Sequence, residues 1–505
     1  MRSTSSACLT VLALSAAAIA QSAPATAPSI PPAKGKIVLA RDTTFLTDGP
    51  LDDDGVPDYV KAYDALLSKG VTAENNAYIP LLKILGPAML AKKSRTAALN
   101  ALGLSPDDLP ATGDYFQSLP DFLTAQGMDE DEKNALLDQA LPPRIPWDGE
   151  QFPQLAMWAG TNGKQLDAAV SAVTRDRWYI PAAGGNMMMD LQLPALGQFR
   201  QLADCLALRS QIRAGKGQLD AAWQDALAVH RLARLVSQGG TMIEHMVGYA
   251  IENVAIHADT AIFSSGKLTA AQAKACLADL QKLAPLGPLA DVMNLSERLT
   301  KLDNVIYVAQ DLPRIKKETL IQEYPQVHIL PEEVAKIDWS LILRHVNADH
   351  DMIVAAMTQA TFARRDAALQ KCEDHRDEIM QLPDGDPDPA KRMDVVMHKL
   401  LAPGNFRHTN TIYERAFMLA DLDQVAFALA AYRAEKGGYP DTLAALAPAY
   451  LKTIPADRFT DKPLIYKPAA DGYLLYSVND DLEDNGGTEK RDANGHCDLV
   501  VRVGK

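Results

Sequence analysis

The feature that most constrains the fold is a helical repeat of apolar residues in the middle of the chain. Apolar side chains recur there at intervals of three and four, at Ile243, Met246, Val247, Ala250, Ile251 and Val254. This spacing places them on one side of an α-helix, and it is typical of an amphipathic helix with one buried face. We therefore predict that residues 191–404 form a helical domain.

Two other helices of this domain are predicted to form a hairpin. Residues 206–235 contain two helical stretches around Gly215-Lys216-Gly217, and small residues follow at Ala222 and Ala226. The pattern is typical of a tetratricopeptide-type hairpin of antiparallel helices. Because no second copy follows at a fixed period, the sequence does not predict a solenoid. Residues 46–190 are predicted to form a mostly helical N-terminal region with a less regular pattern.

The last hundred residues differ in character from the rest. A helix is predicted from residue 411 to residue 436, where Gly437-Gly438 and Pro440 end it. Apolar runs then predict three strands at residues 464–466, 473–478 and 498–503, the first two joined as a hairpin. The fold class is therefore mainly α: a multi-helix body with a small C-terminal α+β domain, residues 405–505, in which one long helix packs on an antiparallel sheet.

The first twenty residues have the composition of a secretory signal. Arg2 supplies the positive start, residues 8–18 form a short apolar core, and Ala18-Ile19-Ala20 has the form of a cleavage site. The apolar core is too short to anchor the chain in a bilayer. We predict export to the periplasm, the cell envelope or the medium, with cleavage after Ala20. A flexible leader to residue 45 follows, and the mature chain has no predicted transmembrane anchor.

Charge and cysteine content narrow the choice of partners and compartments. The formal net charge is −14, so the surface repels phosphate backbones and nucleic acid is not expected as a partner. Export permits disulfides, but four widely spaced cysteines without a C-x-x-C pair do not indicate a disulfide framework. We expect buried free thiols, with one bridge as the alternative, at Cys205, Cys276, Cys372 and Cys497.

The tail contains motifs of a known family. Residues 430–440 contain Tyr-Arg and end in Gly-Gly-Tyr-Pro. They are followed by Pro455-x-Asp457, by Lys-Pro-Leu-Ile-Tyr at 462–466 and by Gly-Tyr-x-Leu-Tyr-Ser at 472–477. This order resembles the globular domain of the major pseudopilin, the type II secretion system protein G. The whole chain looks like a group of large exported bacterial proteins that carry this tail. The resemblance implies a calcium-binding acidic loop before the last strand.

The chain also departs from the pseudopilin pattern. It has a cleavable signal and an amphipathic helix where a pseudopilin has a long apolar assembly helix, so polymerisation as a pilus subunit is not expected. In the acidic loop, Asn479 and Leu482 stand where the family has glycine. Asparagine tolerates a left-handed backbone, whereas leucine does so poorly.

The residue types of the acidic loop also fit a calcium ion. Calcium prefers six to eight oxygen ligands, and carboxylates crowded together repel one another until a cation relieves them. The candidate ligands are the five aspartates of the loop and its flanks: Asp480, Asp481, Asp484, Asp492 and Asp498. The alternative is a solvated acidic loop that needs no ion.

No complete catalytic motif is present in the sequence. His345 and His350 are five residues apart, which is not the i, i+4 spacing of a helical zinc motif, so a polar helix turn is the favoured interpretation. The remaining catalytic candidates of the helical body are Glu244, His245, His257 and His350.

Two classes of function therefore remain open. The first is a non-enzymatic binding or assembly protein of the envelope, with an unknown protein or envelope partner. The second is an exported hydrolase with a site in the helical body.

Overall fold

The structure is a computed structural model of the 505-residue chain. It describes residues 37–139, 146–147, 149–311, 333, 336–382, 386–401, 406–492 and 495–504. The predicted signal peptide, its cleavage site and most of the leader lie outside the described residues.

The N-terminal region consists of short helices around an aromatic core. Tyr78, Trp178 and Phe199 meet edge to face, with ring centroids 5.0–6.3 Å apart. Short 3₁₀ helices lie in the segments that connect the α-helices, at Pro87–Met89, Pro106–Asp108 and Met188–Asp190. Its α-helices are α1 (Tyr59–Leu67), α2 (Tyr78–Leu85), α3 (Arg95–Ala101), α4 (Leu119–Ala125), α5 (Glu130–Gln139), α6 (Pro153–Thr161) and α7 (Gly163–Ala172).

The central region is a bundle of longer helices. The predicted hairpin is confirmed: α8 and α9 lie on either side of residues 216–218 and pack against each other. Thr241 and Glu244 form a capping box that begins α10. The helices are α8 (Leu196–Gly215), α9 (Leu219–Val236), α10 (Met242–Ser264), α11 (Ala270–Lys282), α12 (Leu289–Val292), α13 (Arg298–Asp311), α14 (Trp339–Met357), α15 (Phe362–Met380) and α16 (Pro389–Leu400). A π-helix, Met293–Glu297, joins α12 to α13.

The tail has the predicted order of elements. Helix α17 (Phe406–Lys436) begins five residues earlier than predicted, because Phe406 is also buried against the body. A 3₁₀ helix, Leu443–Leu446, and three strands follow: β1 (Ile465–Ala469), β2 (Gly472–Ser477) and β3 (Leu499–Val503). The sheet is antiparallel in the order β1-β2-β3. The predicted fold class, mainly α with a small C-terminal α+β unit, is thus confirmed.

The core of the tail continues into the helical body. Helix α17 packs on α10 and α11 as well as on β2 and β3. Phe427 of α17 meets Trp223 of α9 and Phe263 of α10 at centroid distances of 5.3 and 5.5 Å. The long helix therefore belongs to both parts, and burial in the body contributes to its stability.

Two further expectations concern thiols and membranes. The four cysteines of the described residues are free and buried, as expected. In the part of the chain that the structure describes, no helix combines the length and the apolar character needed to cross a membrane.

Candidate functional site

Five side chains on three helices form an alternating series of imidazoles and carboxylates, which we call the histidine–aspartate cluster: His345 and Asp349 of α14, His375 of α15, and Asp394 and His398 of α16. His345 and Asp349 are four residues apart, as are Asp394 and His398. Residues at this spacing lie on the same face of a helix. The side chain of Asp338 caps α14 and that of Asp388 caps α16, which fixes where each of these helices starts.

Each imidazole of the cluster lies close to a carboxylate. His345 Nδ1 is 2.8 Å from one oxygen of Asp394, and His398 Nδ1 is 3.2 Å from the other. Asp349 continues the series, with one oxygen 3.4 Å from His398 Nε2 and the other 3.3 Å from His375 Nε2. One potential ligand atom from each of His345, Asp394 and His398 lies within 4.8 Å of the other two.

The cluster is partly open to solvent. Side-chain exposure falls from 44% at His345 to 19% at Asp394 and 11% at His398. Burial opposes the charge on His398, but the hydrogen bond and charge of Asp394, with the charge of Asp349, raise its pKa. Burial also opposes the charge on Asp394, yet its contacts with His398 and His345 lower its pKa. His398 and His345 therefore favour the ionised form of the Asp394 carboxylate, which attracts positive charge.

This arrangement has the chemistry of a transition-metal site. Imidazole nitrogens and carboxylate oxygens are the ligands that bind zinc and related divalent ions. With neutral imidazoles, the two carboxylates carry two negative charges, which one divalent ion would neutralise. The three partly exposed positions leave a route for an ion from solvent.

A second polar group lies behind this cluster, at the junction of the π-helix and α13. Glu297 ends the π-helix and Lys301 lies four residues later. Burial lowers the pKa of Lys301 to about 8, against the charges of Glu297 and Asp349. Burial also raises the pKa of Glu297. Shifted pKa values and π-helical turns are both enriched at functional sites.

His350 of α14 belongs to this second group. It is fully buried, and neither ring nitrogen has a hydrogen bond of good geometry within the described residues. Burial lowers its pKa far below the usual range, and the nearby charges of Lys301 and Arg298 act in the same direction, against the backbone of Met293. A neutral imidazole in this position has a lone pair available for a proton or a ligand.

The other catalytic candidates lie elsewhere and have structural contacts. Glu244 accepts hydrogen bonds from the backbone and hydroxyl of Thr241 at 3.0 and 2.8 Å, so it caps α10. His245 faces the Thr241 carbonyl at 3.2 Å, and burial lowers its pKa. His257 is half-buried in the middle of α10. The four candidates predicted from the sequence therefore do not share one of the described clusters.

The zinc-like pair considered in the sequence, His345 with His350, is separated in the structure. His345 joins the histidine–aspartate cluster, whereas His350 is buried in the core. Sequence reasoning compared the two histidines with each other and missed the pairs His345–Asp349 and Asp394–His398. The spacing of four was the available signal, but only the packing of α14 against α16 shows that the two pairs meet.

The acidic loop between β2 and β3 is closed largely by hydrogen bonds from the protein itself. The carboxylate of Asp498 is 2% exposed and accepts from the backbone N–H groups of Asn485, Gly487 and Thr488 at 2.7–3.3 Å. Burial raises the pKa of Asp498 despite these donors. Arg415 donates to Asp480 at 2.5 Å.

The other three predicted calcium ligands also have contacts within the loop. Tyr476 and the backbone of Gly486 each donate to Asp484 at 2.9 Å, and the backbone of His496 donates to Asp492 at 2.8 Å. One oxygen of Asp481 accepts from the backbone of Glu483, while the other is buried without a hydrogen bond. Among the described residues, the loop aspartates are not one of the groups whose ligand atoms lie within 4.8 Å. Calcium binding by the loop stays a prediction.

The backbone of the acidic loop is left-handed at two residues that are not glycine. Asn479 has φ +64° and Leu482 has φ +61°. Asn479 is held there, because its side chain donates to the Cys497 carbonyl at 2.9 Å and accepts from Arg415 at 2.8 Å. Leu482 is 54% exposed and has no such compensation within the described residues.

Leu482→Gly is therefore expected to stabilise the protein. A leucine in the left-handed region carries a steric penalty of about 1–2 kcal/mol, part of which glycine offsets by its greater freedom in the unfolded chain. We expect a gain of about 0.5–1 kcal/mol in the free energy of unfolding, measured by urea titration. Asn479→Gly is the matched control and should destabilise, since it removes two hydrogen bonds. A loss of stability in Leu482→Gly would contradict the strain argument.

Comparison of the chain with known protein families, with curated proteins and with solved structures finds no match. The resemblance of the tail to pseudopilins therefore rests on its sequence motifs and stays a prediction.

Proposed function

We propose that this chain is an exported, non-enzymatic binding protein of the cell envelope and that it binds a divalent transition-metal ion between α14 and α16. The observation that carries the proposal is the convergence of His345, Asp394 and His398, whose ligand atoms lie within 4.8 Å of one another. Asp349 and His375 extend the set with a second carboxylate and a third imidazole. The predicted export agrees with this proposal, because envelope proteins meet metal ions from outside the cell.

The ligand set favours zinc-like ions over calcium or magnesium. Calcium and magnesium prefer oxygen ligands, whereas three imidazoles favour zinc, copper or nickel. Asp349 lies between His398 and His375 and would hold these imidazoles in position, which is the usual role of a second coordination layer around metal-bound histidine. Both features are already present among the side chains of the cluster.

The proposal is tested by titrating the full-length mature protein with Zn²⁺ in a calorimeter. His398→Ala and Asp394→Asn should each weaken binding by about 100-fold or more, since each removes a ligand. His408→Ala is the matched control, because His408 is an exposed histidine of α17 outside the cluster. Zinc affinity that is equal in the wild type, His398→Ala and His408→Ala would refute the site.

Zinc affinity should also fall with acidification. A metal ion binds the neutral imidazole, so protons compete with zinc for His398. Because the pKa of His398 is raised, this competition begins above the ordinary histidine value of about 6.5. The affinity should therefore be highest at alkaline pH and decline as the pH falls through neutrality. A constant affinity between pH 8 and pH 5.5 would contradict binding through His398.

A hydrolase is the second candidate function, favoured by the group formed by Glu297, Lys301 and His350. A lysine with a pKa of about 8 is suited to proton transfer near neutral pH, and the neutral imidazole of the buried His350 can accept a hydrogen bond beside it. Screening the mature protein against ester, peptide and glycoside substrates tests this candidate. Turnover that disappears in Lys301→Met and in His350→Ala, while zinc binding persists, would support the enzyme over the binding protein.

A further inference from the structure

A third polar cluster is enclosed in the core where the long helix of the tail meets the body. We call it the His230 cluster: His230 and Arg234 of α9, Glu252 and Asp259 of α10, and Asp423 of α17. His230, Glu252, Asp259 and Asp423 are at most 1% exposed. A potential ligand atom from each of His230, Asp259 and Asp423 lies within 4.8 Å of the other two.

Glu252 orients the imidazole of His230 through a hydrogen bond with Nδ1. Its Nδ1 is 3.0 Å from Glu252, and Glu252 in turn accepts hydrogen bonds from Arg234 at 2.5 and 3.1 Å. When a carboxylate accepts a hydrogen bond from Nδ1–H, Nε2 is the nitrogen that can bind a metal ion. This arrangement is typical of metal-bound histidines. Nε2 faces Asp259 at 2.7 Å.

The front of the cluster has unused oxygen atoms. Both carboxylate oxygens of Asp423 and one of Asp259 are buried and accept no hydrogen bond from a donor group of the described residues, so that only a proton or a cation can join the two carboxylates. Buried polar atoms without partners are costly and uncommon in folded proteins. These three oxygens therefore need a cation or protons that the side chains around them do not supply.

The charge balance of the cluster also requires a cation or protons. With a neutral His230, the three carboxylates carry three negative charges and Arg234 supplies one positive charge, which leaves a net charge of minus two. Burying such an excess is prohibitive, so the cluster holds either two protons or one divalent cation. His230 Nε2 and one oxygen each of Asp259 and Asp423 offer three donors, the number of protein ligands typical of a zinc site with one open position.

We propose that the His230 cluster binds a divalent transition-metal ion of the zinc type through His230, Asp259 and Asp423. Binding exchanges two protons for one ion: His230 and Asp423 each lose one proton, and the total charge stays the same. Because the ligands come from α9, α10 and α17, the ion would link the tail helix to the body. Its enclosure means that it would enter during folding and leave only on unfolding.

Without the ion, the two protons have defined positions. The charges of Glu252 and Asp259 outweigh burial and raise the pKa of His230 to about 9. Burial and the neighbouring Asp259 raise the pKa of Asp423 well above its usual range. The alternative to the proposal is therefore a doubly protonated core cluster with no metal.

The test is the metal content of the full-length mature protein. We would unfold it in denaturant with EDTA, refold it with two equivalents of Zn²⁺, dialyse it against EDTA and measure zinc by mass spectrometry. We expect one zinc per chain to resist EDTA in the folded protein and to be released in denaturant. A folded wild type that retains no EDTA-resistant zinc would overturn the proposal and establish the protonated cluster.

Variants separate this site from the partly exposed one. Asp423→Asn should lose the EDTA-resistant zinc, whereas His398→Ala should keep it and lose only the zinc that EDTA removes. The proposed function and this inference can thus fail independently. Retention of the resistant zinc in Asp423→Asn would refute the assignment. Should Asp423→Asn fail to fold, the proton uptake of His398→Ala, which lacks the exposed site, decides when it is refolded without and with zinc: two fewer protons taken up per ion support the exchange, and no difference contradicts it.

Discussion

Replacement of Asp225 by alanine is expected to lower the free energy of unfolding by about 3–5 kcal/mol. Asp225 is fully buried between α8 and α9. Its carboxylate accepts hydrogen bonds from Arg209 at 2.6 and 3.0 Å and from Arg213 at 2.7 Å. Alanine would leave the buried Arg209 guanidinium without its enclosed partner, and a buried charge that has lost its partner is strongly destabilising.

Urea titration of the wild type and the variant measures this loss, and Asp167→Ala is the matched control. Asp167 also contacts Arg209, at 2.6 Å, but its side chain is 71% exposed, so solvent screens the pair. Its removal should cost less than about 1 kcal/mol. Equal costs for the two variants would mean that burial does not determine the strength of these ion pairs.

Asp225 also shows why part of the body could not be predicted from the sequence. The hairpin of α8 and α9 was predictable, because helical periodicity and the glycines at 215 and 217 are local signals. The burial of Asp225 was not, since an aspartate within a helix normally indicates a solvated face. Its partner Arg209 lies on the preceding helix, and only the packing of the two helices brings them together.

The same limit applies to the two candidate metal sites. His230 lies on α9 between Val229 and Arg231, while Asp423 lies almost two hundred residues later in a helix predicted to belong to a separate tail domain. Spacing along the chain reveals ligands that share one helix, such as Asp394 with His398. It does not reveal ligands that meet across helices, and both clusters depend on such meetings.

The tail was more predictable because its order is set by local chemistry. Gly437-Gly438 and Pro440 end the long helix, and β1 and β2 form a hairpin as predicted, although both strands extend further into the turn and leave a connection of only two residues. The register, with Ala469 opposite Gly472, follows from that short connection. The sequence did not predict how the acidic loop is closed, because its aspartates pair with backbone groups and with the side chains of Arg415 and Tyr476, which only the folded chain brings to them.

Asp498→Ala is the second change with a large expected effect, a loss of about 3 kcal/mol from the free energy of unfolding. The buried carboxylate accepts from three backbone N–H groups, and each donor left without an acceptor costs roughly 1–3 kcal/mol, less where water can enter. Asp484→Ala is the control: its partners are the Tyr476 hydroxyl and one backbone N–H at the surface, so it should cost about 1 kcal/mol.

We would also measure the stability and the melting temperature of the wild type and of both variants, as full-length proteins, in calcium and in EGTA. These measurements decide between the two interpretations of the loop. If backbone donors close the loop, Asp498→Ala loses the same stability in either solution, and the wild type melts at one temperature in both. If calcium closes it, the wild type is more stable in calcium by RT ln(1 + [Ca²⁺]/Kd), and both variants abolish that difference. The contacts of Asp480, Asp484 and Asp498 with donors of the protein favour the first result.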